Sequence, residues 1–313
     1  MMFRKPPFKR KEYRWLRSDG TPNFDNRVYS ITGDMEIIAK RDVVSVSPTT
    51  PVEKALDIMS KHYRSLLVTL GGELKGVVFA TTMVNYLGGG DLFSIVVNRY
   101  NYNIFRALKE EVIENLMVKN PIVAYIDMSI VDVLELMVVN GIGLLPVVHR
   151  DGRVFGVVSE HDLVRYLYGI FRIGVRAEEI MSTPIITCSV NDSLWNAMRT
   201  MVKYGFRRLP VVDSDGSVVG IVTAMDIVRF FNPSIVYSKL TSSDIREVLQ
   251  IPVMDVASKR VVAVEPGSDL SVIVKAMIDN DVSSVLVVDS DGKLHGIISE
   301  RDVLYALTVK EIR

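Results

Sequence analysis

Gly156-Val157-Val158-Ser159-Glu160-His161-Asp162 and Gly220-Ile221-Val222-Thr223-Ala224-Met225-Asp226 follow one pattern: glycine, two aliphatic residues, a hydroxyl, and an aspartate three positions on. Gly296-Ile297-Ile298-Ser299-Glu300-Arg301-Asp302 is a third copy, and Gly76-Val77-Val78-Phe79-Ala80-Thr81-Thr82 is a fourth that lacks both hydroxyl and aspartate. The recurrence reaches further back. Met137 to Asp162, Met201 to Asp226 and Met277 to Asp302 are each 25 residues apart, while Met59 to Thr82 is 23. The shortfall falls at Gly71-Gly72-Glu73, where the other copies have Arg150-Asp151-Gly152, Ser214-Asp215-Gly216 and Ser290-Asp291-Gly292. Asp-Gly between apolar runs is a hairpin signal. Four related units therefore follow one another along the chain.

Each unit opens with a β-branched run: Val43–Val46, Ile122–Tyr125, Ile185–Cys188 and Val261–Val264. A helix follows. In the first unit Thr50-Pro51-Val52-Glu53 combines an N-cap, proline at the first helical position and a capping-box glutamate. The apolar stripe Val52, Ala55, Leu56, Met59 recurs as Ile130, Val133, Leu134, Met137 and as Leu194, Ala197, Met198, Met201. That spacing is the face of a helix packed on a sheet. The hairpin comes next, and a last helix starts at the hydroxyl-to-aspartate segment. The unit reads β-α-β-β-α, and the fold class is α/β.

Successive equivalent methionines are 78, 64 and 76 residues apart (Met59, Met137, Met201, Met277), a long, short, long rhythm that groups tandem neighbours into two modules. A unit of this size buries little core alone, so sharing is expected. The chain divides into a basic extension (1–35), a first repeat with its linker (36–112), a second repeat (113–175), a third with its linker (176–249) and a fourth (250–313).

Composition narrows the classes. With 313 residues, 48% hydrophobic content and 24% charge, the chain is globular. A formal net charge of zero gives no global attraction to nucleic acid or anionic membrane. One cysteine, Cys188, excludes an internal disulfide, and with no apolar leader a cytoplasmic location is expected. The longest apolar runs are strand-sized, so no membrane span is expected. His62, His149, His161 and His295 are scattered, without metal-ligand spacing, and no catalytic constellation or phosphate loop occurs. The chain is expected to be neither an enzyme nor the holder of a metal or catalytic cofactor.

These four copies resemble cystathionine-beta-synthase (CBS) domains, and two tandem pairs resemble two Bateman modules, over roughly residues 36–308. The arrangement is similar to that of the gamma subunit of AMP-activated protein kinase and of archaeal stand-alone proteins of that form. The resemblance implies an adenosine ligand in clefts between paired domains, with energy sensing as the role. It also implies that four repeats in one chain close into a disc-like assembly, as a monomer or a homodimer.

An aspartate on a first helical turn can accept hydrogen bonds from both hydroxyls of a ribose, which assigns Asp162, Asp226 and Asp302 to the sugar. Ser159, Thr223 and Ser299 bond sugar or phosphate, or cap the helix, since Ser/Thr-x-x-Asp also approximates a capping box. The preceding glycine lets backbone and ligand approach closely. By resemblance, backbone near Val123, Thr187 and Ala263 meets the adenine edge. Phe206-Arg207-Arg208-Leu209-Pro210 resembles the basic pair before Leu-Pro that contacts phosphate in the kinase subunit; Arg207 and Arg208 alternatively form a solvated pair. Gly143-Leu144-Leu145-Pro146 and Ser283-Ser284-Val285-Leu286 lack charge there, and His161 and Arg301 are candidates to compensate. Pro146 and Pro210 complete the set. The first copy, with Phe79 and Thr82, is expected to be degenerate.

The expected ligand is AMP, ADP or ATP, read out to a regulated protein partner. S-adenosylmethionine or NAD is the alternative within the same clefts. A different class of function rests on residues 3–17, which carry seven cations among aromatics and could contact RNA or DNA or an acidic partner, or lie solvated. Gly88-Gly89-Gly90 reads as a hinge-like turn.

Overall fold

The computed structural model describes residues 23–31, 35–61, 64–170 and 174–308. The basic stretch 3–17 and His62 lie outside the described residues. Each repeat builds a small sheet and two principal helices. The first contains β1 (Ser45–Val46), α1 (Val52–Ser60), β2 (Ser65–Leu70), β3 (Glu73–Phe79) and α2 (Ala80–Val84), with β4 (Val118–Lys119) on its sheet. The second has β5 (Ala124–Tyr125), α3 (Ile130–Asn140), β6 (Leu144–Val148), β7 (Val154–Ser159) and α4 (Glu160–Ile170). The third has β8 (Cys188–Ser189), α5 (Leu194–Tyr204), β9 (Arg208–Val212), β10 (Val218–Thr223) and α6 (Ala224–Phe230). The fourth has β11 (Ala263–Val264), α7 (Leu270–Asp279), β12 (Ser284–Val288), β13 (Leu294–Ser299) and α8 (Glu300–Thr308). The expected unit is present four times, with the opening strand parallel to the central one and the hairpin antiparallel.

Local differences have physical causes. The opening strands keep two residues in register rather than four, because only their inner ends reach the central strand. The Thr50 cap does not form. Instead Pro51 is the N-cap of α1, without a side-chain bond, and the Val52 N–H donates to the Glu111 carbonyl at 2.9 Å. A distant main-chain acceptor thus replaces the local one. The hairpin glycines Gly152, Gly216 and Gly292 adopt φ of 85°, 81° and 81°, the left-handed region in which glycine meets no Cβ penalty.

Two compact units emerge. One comprises the second and fourth repeats with the described residues up to Asp42; its core includes Ile130, Val133, Leu134 and Met137 beside Leu270, Ile273, Val274 and Met277. Phe24, Val28 and Met35 are buried in it, so the described segment just before the repeats is packed. The other unit comprises the first and third repeats, its core formed by Val52, Ala55, Leu56 and Met59 together with Leu194, Ala197, Met198 and Met201. The cores therefore join repeats two apart, through helix faces. In this unit Gly89 and Gly90 are no hinge. A Cβ at Gly89 would stand 2.7 Å from Val202 and 2.8 Å from the Val84 carbonyl, so these glycines permit close packing on α5.

The tandem relation survives in the segments that lead into each repeat. Lys40, ahead of β1 in the first repeat, exchanges two backbone hydrogen bonds with Val157 of β7 in the second. Val118 and Lys119, ahead of β5 in the second repeat, pair with Val77 and Gly76 of β3 in the first. Ser182 pairs with Ile297, and Ser258 with Ile221, in the same reciprocal manner for the third and fourth. Each leader thus covers the open sheet edge of its tandem neighbour, removing unpaired backbone groups.

Candidate ligand-binding motifs

The recurring glycine serves these leaders. A Cβ at Gly156 would stand 2.5 Å from the Lys40 carbonyl oxygen, at Gly296 2.5 Å from Met181 Sδ, at Gly76 2.6 Å from Met117 Sδ, and at Gly220 3.0 Å from the Ser258 carbonyl. The sequence assigned this close approach to a ligand. The chain itself makes it.

At the next step the strand becomes a helix, and the hydroxyl and aspartate are locked together. Thr223 Oγ1 donates to Asp226 Oδ2 at 2.6 Å, and the Thr223 N–H donates to the same oxygen at 2.9 Å. The Asp226 N–H returns a bond to Thr223 Oγ1 at 3.2 Å. Ser159 with Asp162, and Ser299 with Asp302, repeat this arrangement, with hydroxyl-to-carboxylate distances of 2.5 and 2.8 Å. Capping therefore occupies Oδ2 of each aspartate and the proton of each hydroxyl. The other oxygen meets a cation in two cases: Lys40 Nζ stands 2.8 Å from Asp162 Oδ1, and Arg229 Nη1 stands 3.2 Å from Asp226 Oδ1. In the first repeat Phe79 offers no cap; its N–H donates to Thr82 Oγ1 at 3.3 Å.

The arginine pair of the third repeat reaches the same junction. Arg208 is the ladder partner of Thr223, and the Ala224 N–H, first of α6, donates to the Arg207 carbonyl at 2.9 Å. The equivalent bond recurs from Glu160 to Gly143, from Glu300 to Ser283 and from Ala80 to Arg64. Arg64 thus holds the place of Arg207 in the first repeat. No Leu-Pro step marks it in the sequence, but Arg64-Ser65-Leu66 aligns with Arg207-Arg208-Leu209 once the strands are superposed. Arg207 and Arg64 are exposed, and Arg208 is half-buried. Pro146 and Pro210 are buried in the central strands, one position from Val147 and Val211, the ladder partners of Ala124 and Cys188. Val123 and Thr187 precede those two residues, and Ala263 lies in β11.

His161 and Arg301 do not stand open to an anion. His161 Nδ1 is 2.7 Å from Glu300 Oε1, and Arg301 Nε donates to Glu160 Oε1 at 2.6 Å. Both glutamates are buried, at 2% and 3% exposure. Burial acts to lower the Arg301 pKa, but Glu160 outweighs it, with smaller contributions from Tyr305 and Asp302, so the guanidinium is held more firmly protonated than usual. Stranding one member of such a buried pair costs about 3–5 kcal/mol. The first and third repeats have Ala80 and Ala224 where Glu300 and Glu160 stand, both buried in an apolar interface.

Among the described residues, no group of three or more His, Cys, Asp or Glu side chains could hold a metal ion. No helix among them is long and apolar enough to cross a membrane. Residues 34–89, 113–169, 177–232 and 253–309 match the CBS domain model. The chain belongs to the CBS domain family. The uncharacterized protein MJ1225 from Methanocaldococcus jannaschii is 29% identical over 273 residues, which span 86% of this chain and 97% of that one. An uncharacterized 33.4 kDa protein in the ribosomal RNA operon of Thermofilum pendens is 37% identical over 241 residues, covering 77% and 79% of the two chains. The crystal structure of MJ1225, described there as a candidate archaeal homologue of g-AMPK, superposes with a TM-score of 0.83 at 27% identity, covering 88% of this chain and 99% of that one.

Proposed function

We propose that this CBS protein is a non-catalytic sensor that binds adenine nucleotides through its motif aspartates and passes occupancy to a protein partner. The observation that carries this reading is the third repeat. There Thr223, whose hydroxyl holds Asp226, sits directly across the ladder from Arg208, with Arg207 one residue away. The carboxylate oxygen outside the cap, which meets Arg229 at 3.2 Å, suits a sugar hydroxyl that displaces that arginine, and two arginines at the start of the adjoining strand suit phosphate. The second and fourth repeats keep the carboxylate without the arginines, which supports weaker discrimination by phosphate number in those repeats and leaves room there for another adenosyl ligand, S-adenosylmethionine or NAD.

Regulation follows from linkage. A nucleotide shifts the protein only by the difference in its affinity for two arrangements, and AMP and ATP differ in the charge they present to Arg207 and Arg208. The likeness to a protein described as a candidate homologue of g-AMPK supports an energy-sensing role. Calorimetric titration of the full chain with AMP, ADP and ATP tests the reading. Saturable binding that weakens in Asp226→Ala is expected, and heats no larger than dilution for all three would overturn it.

A further inference from the structure

The second and fourth repeats meet through the first turns of α4 and α8, and those turns carry the motif aspartates. Glu160 and His161 immediately precede Asp162; Glu300 and Arg301 immediately precede Asp302. The four side chains are crossed, Arg301 onto Glu160 and His161 onto Glu300, so each turn holds the other at two points. Arg301 also lies against the end of α3, where a Cβ at Gly141 would stand 3.5 Å from its Nη1. We infer that Glu160, His161, Glu300 and Arg301 are positioning residues that make occupancy of Asp162 and occupancy of Asp302 thermodynamically linked. This rests on the nucleotide-binding reading above.

The physical reason is the environment of the two carboxylates. Both are almost fully enclosed, so neither turn can shift without its partner unless a buried charge loses its counterpart. A ligand that draws Asp302 toward itself moves the adjoining Arg301, and Arg301 carries Glu160 and with it the turn that presents Asp162. Two discrete, jointly held arrangements are what coupling between sites requires. The other compact unit supplies an internal contrast. Its equivalent positions are Ala80-Thr81 and Ala224-Met225, so no ion pair ties the first turn of α2 to that of α6. The third repeat is therefore expected to bind without this link.

Calorimetric titration with AMP tests the inference in the full chain. An Asp226→Ala background removes the third-repeat aspartate and leaves Asp162 and Asp302 to be read together. The two binding steps are expected to differ from independent behaviour by about tenfold, within the usual range of coupling. Exchanging the four residues for the pair used in the third repeat (Glu160→Ala, His161→Met, Glu300→Ala, Arg301→Met) removes the charges together. It leaves neither Glu160 nor Glu300 as an unpaired buried charge, and should leave two steps that behave independently. Arg301→Lys keeps the charge but loses the planar fork, and is expected to reduce the coupling at least threefold. Independent steps in the Asp226→Ala chain would overturn the inference, as would coupling unchanged by Arg301→Lys or by the fourfold exchange. If AMP does not bind the unaltered chain, the proposed function falls with it; binding without linkage overturns the inference alone.

Discussion

Arg208 and Thr223 face each other across the β9–β10 ladder, so the central strand sets an arginine opposite the point where the hairpin turns into α6. Arg207, whose carbonyl caps that helix, stands beside it. Removing either arginine is expected to weaken AMP and ATP binding by roughly ten- to a hundredfold, the range for a lost hydrogen bond to a charged group. Adenosine binding should change little. Titration of Arg207→Ala and Arg208→Ala with the three compounds checks this, and equal losses for adenosine would contradict a phosphate role.

The motif glycine provides a test of the leader strands. Gly156→Ala sets a methyl against the Lys40 carbonyl at 2.5 Å, and backbone has to move to admit it. A loss of roughly 1–3 kcal/mol in unfolding free energy is expected from such overpacking. Gly169, within α4, has nothing within 4 Å of a Cβ, and its replacement by alanine should stabilise by about 0.5–1 kcal/mol. Denaturant melts of the two variants should move in opposite directions.

The crossed charges between α4 and α8 predict an uneven cost of charge removal. Arg301→Ala leaves Glu160 buried without its cation and should cost about 3 kcal/mol or more. Lys61→Ala breaks an exposed pair with Asp57 and should cost under about 1 kcal/mol. Chemical denaturation of both variants decides this.

Cys188 is buried, and burial, aided by Asp192, pushes its thiol up to about 12. The folded protein should resist alkylation at pH 8 and react only in denaturant. The sign of the linkage is fixed: an unfolded chain ionises this thiol near pH 8.5 while the folded one does not. Its contribution to stability is complete below that pH and is lost as pH rises toward about 12. Stability of Cys188→Ala, measured across pH 8 to 12, should therefore decline less steeply than that of the unaltered chain.

Much of this was legible in the residues because it is periodic. Stripes such as Leu194, Ala197, Met198, Met201 record helix faces, Asp-Gly pairs record hairpins, and the 25-residue interval from methionine to aspartate records their assembly. What the spacing cannot express is which distant segment meets which. Lys40 reaching Val157 and Asp162, Glu111 capping α1, and Arg301 reaching Glu160 are contacts between residues far apart in the chain. For the same reason the motif glycines suggest room for a ligand, and His161 and Arg301 suggest free cations, where the fold supplies chain partners instead. Linker lengths follow the chain from neighbour to neighbour, whereas the cores join first with third and second with fourth by helix faces whose partners carry near-identical stripes.

Whether the carboxylates of Asp162, Asp226 and Asp302 hold a ribose diol can be tested without altering the protein. Calorimetric titration of the full chain with AMP and with its 2′,3′-dideoxy analogue compares ligands that share base and phosphate. The analogue is expected to bind roughly ten- to a hundredfold more weakly, through the loss of hydrogen bonds to an ionised group. Equal affinity for the two compounds would contradict it.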